Sequence, residues 1–140
     1  MSYENNFNIK ETKDYLQFKN LFISSGLEFN LDETGKKPEG FILAYECKDS
    51  NGELIGAAAI CKREKCFVLQ DIAVNDLERG KGIGEVLLQK CMNKMEALGA
   101  EQIYITAKEP KFFERYGFEY VDDNKVPDIF SCLNCKQYGN

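Results

Sequence analysis

Histidine is absent from all 140 residues, so an imidazole base is excluded. No long apolar run is present either. The longest uncharged apolar stretch, Ile55 to Cys61, is far too short to cross a bilayer. No block of basic residues occurs and the formal net charge is -5, so the electrostatic footprint of a nucleic-acid-binding protein is missing. Repeats, low-complexity tracts and interdomain linkers are missing too. The opening Met1-Ser2-Tyr3-Glu4-Asn5-Asn6 is polar and reads as lacking a signal peptide. The expectation is a cytoplasmic chain whose six cysteines are reduced thiols.

What is present suits one soluble domain spanning residues 1–140. Hydrophobic residues make up 44% and charged residues 29%, and ten Phe and seven Tyr supply core material without a disulfide staple. Phe7-Asn8-Ile9 alternates as a short strand, and Thr12 reads as the N-cap of a helix carrying Tyr15, Phe18, Leu21 and Phe22. Gly26 ends it. The polar stretch Asn30 to Gly40 is either a short helix or a loop.

Three strands are then expected, at Phe41 to Glu46, Leu54 to Cys61 and Cys66 to Val74. They are joined by the turns Asp49-Ser50-Asn51-Gly52 and Lys62-Arg63-Glu64-Lys65, which makes an antiparallel meander. Gly84, Leu87, Leu88, Cys91, Met92, Met95 and Leu98 mark one face of a helix that Gly99 closes. Glu101 to Ala107 is a further strand, and strand–helix–strand order implies a parallel pair with a right-handed crossover. Pro110 opens a short helix and Gly117 ends it, with closing strands at Phe118 to Val121 and Ile129 to Leu133. The class is α+β, with a mixed, mostly antiparallel sheet flanked by helices.

The chemistry lies at the strand-to-helix junction after Val74. Arg79-Gly80-Lys81-Gly82-Ile83-Gly84 puts glycines at alternate positions, so backbone N–H groups can face inward and an anion can come close. The helix behind adds its dipole, and Arg79 and Lys81 add charge. The alternative is a tight turn and nothing more. A Walker loop is excluded because Lys81 precedes Gly82, and the dinucleotide fingerprint fails because the third glycine comes one residue early.

These residues resemble the GNAT acetyltransferase family, whose signature is Arg or Gln, two residues, Gly, one residue, then Gly or Ala. Arg79 to Gly84 matches it, Asp71-Ile72-Ala73-Val74 matches the family's fourth strand, and Phe112-Phe113-Glu114-Arg115-Tyr116-Gly117-Phe118 is similar to its Phe-Tyr-x-x-x-Gly-Phe segment. The resemblance implies a central parallel strand pair that splays apart. It implies acetyl-CoA as co-substrate, with the backbone of Ile72, Ala73 and Val74 along the pantetheine arm. Arg79, Gly80, Lys81, Gly82, Ile83 and Gly84 would hold the pyrophosphate. The acceptor it implies is a primary amine of a small molecule or amino acid, attacked directly, in a monomer or homodimer without nucleic-acid or membrane partners. A CoA-binding sensor and a protein N-acetyltransferase are the alternatives.

The departures lie at the acid and the base. Phe113 stands where many members carry a proton-donating Tyr, and Tyr116, one turn on, is either its replacement or a core residue. Gln70 stands where some members carry a Glu base. Asp71 either accepts a proton through water or only bonds locally, since neighbouring strand residues face opposite sides of a sheet. Lys108 and Lys111 either meet an acceptor carboxylate or are solvated. Cys61, Cys66, Cys132 and Cys135 are read as reduced thiols, with a four-thiolate zinc site as the alternative, so no metal is expected.

Overall fold

The computed structural model describes residues 7–105 and 110–119. One five-stranded sheet runs in the order β1 (Phe7–Thr12), β2 (Phe41–Asp49), β3 (Leu54–Arg63), β4 (Cys66–Val74) and β5 (Ile103–Ile105). The first four are antiparallel neighbours, and β5 joins β4 in parallel. The mixed sheet and the parallel pair agree with the sequence reading. The closing strands expected at Phe118 to Val121 and Ile129 to Leu133, and the pair Cys132 and Cys135, lie wholly or mostly outside the described residues.

The hairpin turns follow from local chemistry. At the first, the Asp49 carboxylate accepts from the N–H groups of Asn51 and Glu53 (both 2.9 Å), and Gly52 takes φ 83°. At the second, Arg63 pairs with Cys66, so the turn has two residues, Glu64 and Lys65, with φ of 49° and 71°. Such positive angles match the twist of a tight hairpin.

Helices cover both faces of the sheet. α2 (Ile83–Ala97) buries Ile83, Leu87, Leu88, Cys91 and Met95 against Leu43, Tyr45, Ile60, Phe67 and Leu69. Each fully buried aliphatic side chain there contributes roughly 1.5–3 kcal/mol. On the opposite face a 3-10 turn (Leu16–Phe18) runs into α1 (Lys19–Ser24), and Tyr15, Phe18 and Phe22 pack on Ala44, Ala57, Ala59 and Ala73. The small alanines leave room for the rings. Thr12, expected as an N-cap, is instead the last residue of β1, held by its pairing with Ala44. Its hydroxyl still accepts from the Asp14 N–H (3.1 Å). Residues 30–40 form no helix. They are a loop in which Asp32 accepts from the Thr34 N–H and hydroxyl. No helix among the described residues is long and apolar enough to cross a membrane.

Gly40 closes that loop onto the β3–β4 hairpin. Its φ is 74°, and a Cβ there would lie 2.2 Å from the Lys62 carbonyl oxygen. Gly35 has a similar φ of 71°, but a Cβ would meet nothing within 4 Å. Gly40→Ala is therefore expected to cost ~3 kcal/mol and Gly35→Ala ~1 kcal/mol. Urea unfolding of the two variants checks the difference, and equal losses would mean that the contact with Lys62 is relieved at no cost.

Candidate active site

β4 carries an irregularity that shapes everything beside it. Ile60 pairs with Leu69 while Ala59 pairs with Asp71, so Gln70 is an extra residue in the strand. Phe67 and Leu69 belong to the α2 face, and the extra residue restores that face to Ile72 and Val74. Among the described residues β5 pairs with β4 from Phe67 to Leu69. Past that point the outer edge of β4 has no strand partner among the described residues. It borders a cavity of about 420 Å³ lined by Leu69 to Val74, Ile105, Phe112, Phe113 and Arg115.

The glycine loop closes one end of this cavity. Arg79, Gly80, Gly82, Ile83 and Gly84 line it, together with Glu78 and Glu85. Gly80 and Gly82 have φ of 86° and 83°, a left-handed conformation that glycine adopts freely. Gly82 is the N-cap of α2, so the unpaired N–H groups of a 15-residue helix begin here. Gly84 has a packing role, since a Cβ would touch Phe112 (3.6 Å) and Val74 (3.7 Å). Arg79 Nε lies 3.3 Å from Asp76, and Lys81 Nζ lies 2.8 Å from Glu78. Surface pairs of this kind are worth little, so an anion can replace either carboxylate.

The other end is polar. Ser25, Leu27, Glu28 and Asn30, from the segment after α1, line it with Gln70 and Asp71. Asp71 is 4% exposed, and Tyr15 Oη donates to its Oδ2 at 2.6 Å. Its Oδ1 has no partner among the described residues. Burial pushes the Asp71 carboxyl up to about 7, against the smaller opposing effects of the Tyr15 bond and the Arg63 charge. Tyr15 is itself driven well above the usual phenol range, first by burial and then by Asp71.

The cavity thus brings together Asp71, Ile72, Ala73, Val74, Arg79, Gly80, Gly82, Ile83 and Gly84. Lys81 and Tyr116 are not among its lining residues. Tyr116 Oη donates to Glu85 Oε2 at 2.6 Å, a bond that raises the Tyr116 pKa. Phe113 is buried, edge-on to Phe112 and Phe118. Asp71 and Gln70 both line the cavity although they are adjacent, because the extra residue breaks the alternation expected of a regular strand. Tyr15, Glu28, Asn30, Arg63 and Arg115 were not singled out by sequence reading. Tyr15 and Asp71 are 56 residues apart, and no periodic signal links them. Cys61 is buried with its thiol pushed up to about 12, which makes it a poor thiolate.

The family described as acetyltransferase (GNAT) matches residues 6–118, and the chain belongs to it. Over 90 residues the chain is 28% identical to an uncharacterized N-acetyltransferase from Chlorobaculum tepidum, a match covering 62% of this chain and 58% of that relative. The chain therefore spans less than two thirds of that relative's length. A putative acetyl transferase from Pyrococcus furiosus shares the fold, with a TM-score of 0.65 at 21% identity over 82% of this chain and 94% of that one. So does N-acetylglutamate synthase from Neisseria gonorrhoeae, solved with coenzyme A and N-acetyl-glutamate. Its TM-score is 0.70 at 17% identity, over 87% of this chain and 30% of that one.

The buried Asp71 links stability to pH. Its pKa is raised from 3.8 to about 7, so the folded state holds this proton more tightly than the unfolded state. The stabilisation is complete below the unfolded value and is lost as pH rises through 7. The loss is on the order of 2–4 kcal/mol. Asp71→Asn keeps an acceptor for Tyr15 and removes the titration. Urea midpoints at pH 5 and pH 8 are expected to fall with pH more in the wild type than in Asp71→Asn. Parallel changes in both would refute the assignment.

Proposed function

We propose that this chain is an acetyl-CoA-dependent N-acetyltransferase acting on the primary amine of a small molecule or amino acid. The observation that carries this reading is the cavity that runs along the backbone of β4 from Leu69 to Val74 and ends at the left-handed glycines. A strand backbone that borders a cavity offers N–H and C=O groups at the spacing that an extended chain of amides can match. The backbone of Ile72, Ala73 and Val74 binds the pantetheine arm there, and one of its N–H groups faces the thioester oxygen. Gly80 and Gly82, with the N-terminus of α2, hold the pyrophosphate.

At the polar end, Asp71 is the proton acceptor. A carboxyl at about 7 is partly ionised at neutral pH and suited to take a proton from an incoming ammonium, directly or through water. The freed amine attacks the thioester carbon, a C–N bond forms, the C–S bond breaks, and the nitrogen's surplus proton passes to solvent. Phe113 has no proton to give, and the Tyr116 proton is engaged by Glu85. The sulfur therefore leaves as thiolate or is protonated by solvent, which a thiol of pKa ~8.5 permits. Holding both reactants in one cleft supplies much of the rate.

Coenzyme A is expected to raise the melting temperature, and Gly82→Val to abolish that shift, because a branched side chain is strained at φ 83° and fills the phosphate approach. An unchanged shift in the variant removes the loop from the site. For turnover, kcat/KM for the acceptor should level off near pH 7, and Asp71→Asn should lose ~100-fold or more together with that plateau. A loss below about tenfold with the profile intact means that Asp71 is not the base. A CoA-dependent shift without thiol release, across amines, amino acids and peptides, identifies a sensor instead.

A further inference from the structure

Gln70 and Arg63 form an arrangement that this chemistry does not use. Arg63 ends β3 and is 6% exposed. Its Nε donates to the Glu39 carbonyl at 2.8 Å, and its Nη2 donates to Gln70 Oε1 at 2.7 Å. A guanidinium has donors and no acceptor. The Gln70 amide therefore has one permitted orientation, with Oε1 toward Arg63 and Nε2 turned away. Gln70 lines the cleft beside Asp71, and its Nε2 has no partner among the described residues. The guanidinium also polarises the amide it holds, which strengthens Nε2 as a donor.

We infer that Gln70 Nε2 is a specificity-determining donor for a carboxylate oxygen of the acceptor, so that the preferred substrate is an amine carrying a carboxylate close to it. The inference rests on the transferase reading above and narrows its substrate. The polar end is divided by charge. Glu28 and Asp71 present carboxyl groups to an ammonium, while Gln70, backed by the Arg63 cation, presents a donor to an anion. A zwitterion satisfies both sides. A polyamine has no oxygen for Nε2 and leaves that donor desolvated and unpaired, which is how a hydrogen-bonding site rejects an analogue lacking the partner.

The test uses the full chain and pairs of amines that differ only by the α-carboxylate: lysine with 1,5-diaminopentane, alanine with ethylamine, phenylalanine with 2-phenylethylamine. Thiol release from acetyl-CoA is measured for each, and the same compounds are titrated onto the CoA-saturated protein. The wild type should favour the carboxylated member at least about tenfold, the worth of one hydrogen bond to a charged oxygen. Gln70→Glu keeps a partner for Arg63 but replaces the donor with an acceptor. It should reduce that preference at least about tenfold, mainly through KM, with the KM for acetyl-CoA unmoved. Gln70→Met, which removes both polar atoms, should reduce it as well. A wild-type preference for the plain amine overturns the inference. An equal loss on both members of each pair also overturns it, because Nε2 then serves the thioester oxygen. A carboxylate preference in titration without turnover supports the donor role of Gln70 and overturns the transferase reading alone.

Discussion

A strand in a packed sheet shows alternate residues to opposite layers, so a polar side chain at the wrong parity is driven into apolar surroundings. In β4, Phe67 and Leu69 face the layer under α2, and strict alternation would send Asp71 into the same cluster of Leu, Ile and Met side chains. The extra residue at Gln70 moves Asp71 to the opposite layer, where the Tyr15 hydroxyl meets it. The same step returns Ile72 and Val74 to the α2 layer. One inserted residue thus puts two neighbouring polar side chains, Gln70 and Asp71, beside the cavity. The glycine loop and α2 then need only close the far end.

The two polar pairs flanking the insertion are unequal in kind. Tyr15–Asp71 joins a hydroxyl to a carboxyl that burial keeps partly protonated, so no lone charge is stranded between layers. Arg63–Gln70 joins a permanent cation to a neutral amide, with the Glu39 carbonyl sharing the load. Both tie the sheet to what covers it, one to the aromatic cluster before α1 and the other to the loop that ends at Gly40. Each bond gives a buried side chain a polar partner from another element. The polar end of the cleft is held by bonds within the protein itself.

Much of this was readable in the sequence where the signal is local. Most of the buried face of α2 was written in the spacing of Leu87, Leu88, Cys91 and Met95, whereas Leu98 is exposed past the helix end. The first hairpin was written in Asp49 to Gly52, whose carboxylate and glycine do what those residue types do in turns. The turn at residues 79 to 84 was marked by glycine spacing ahead of an amphipathic helix, and Gly80 and Gly82 take the left-handed angles that such spacing allows. What was not legible depends on register. No feature of Leu69-Gln70-Asp71 announces an extra residue, because the insertion is defined only by Ala59 and Ile60 on the neighbouring strand. Tyr15 read as one more aromatic on a helical stripe, and its polar role appears only when α1 is laid across β4. Thr12 has the chemistry of a cap, yet the ladder to β2 outweighs one capping bond.

The tight turn at Glu64 and Lys65 has a consequence for how this protein can diverge. Exposed two-residue turns are usually where chains gain and lose residues freely. Here the turn directly follows Arg63, and the Gln70 amide that Arg63 orients lies seven positions further along the chain. An inserted residue within the adjoining strand ends would rotate Arg63 to the opposite layer and release the amide, leaving the cleft wall itself untouched. Length variation at this surface tip is therefore a route by which descendants of the same scaffold can change what they accept, without replacing a residue that lines the cavity.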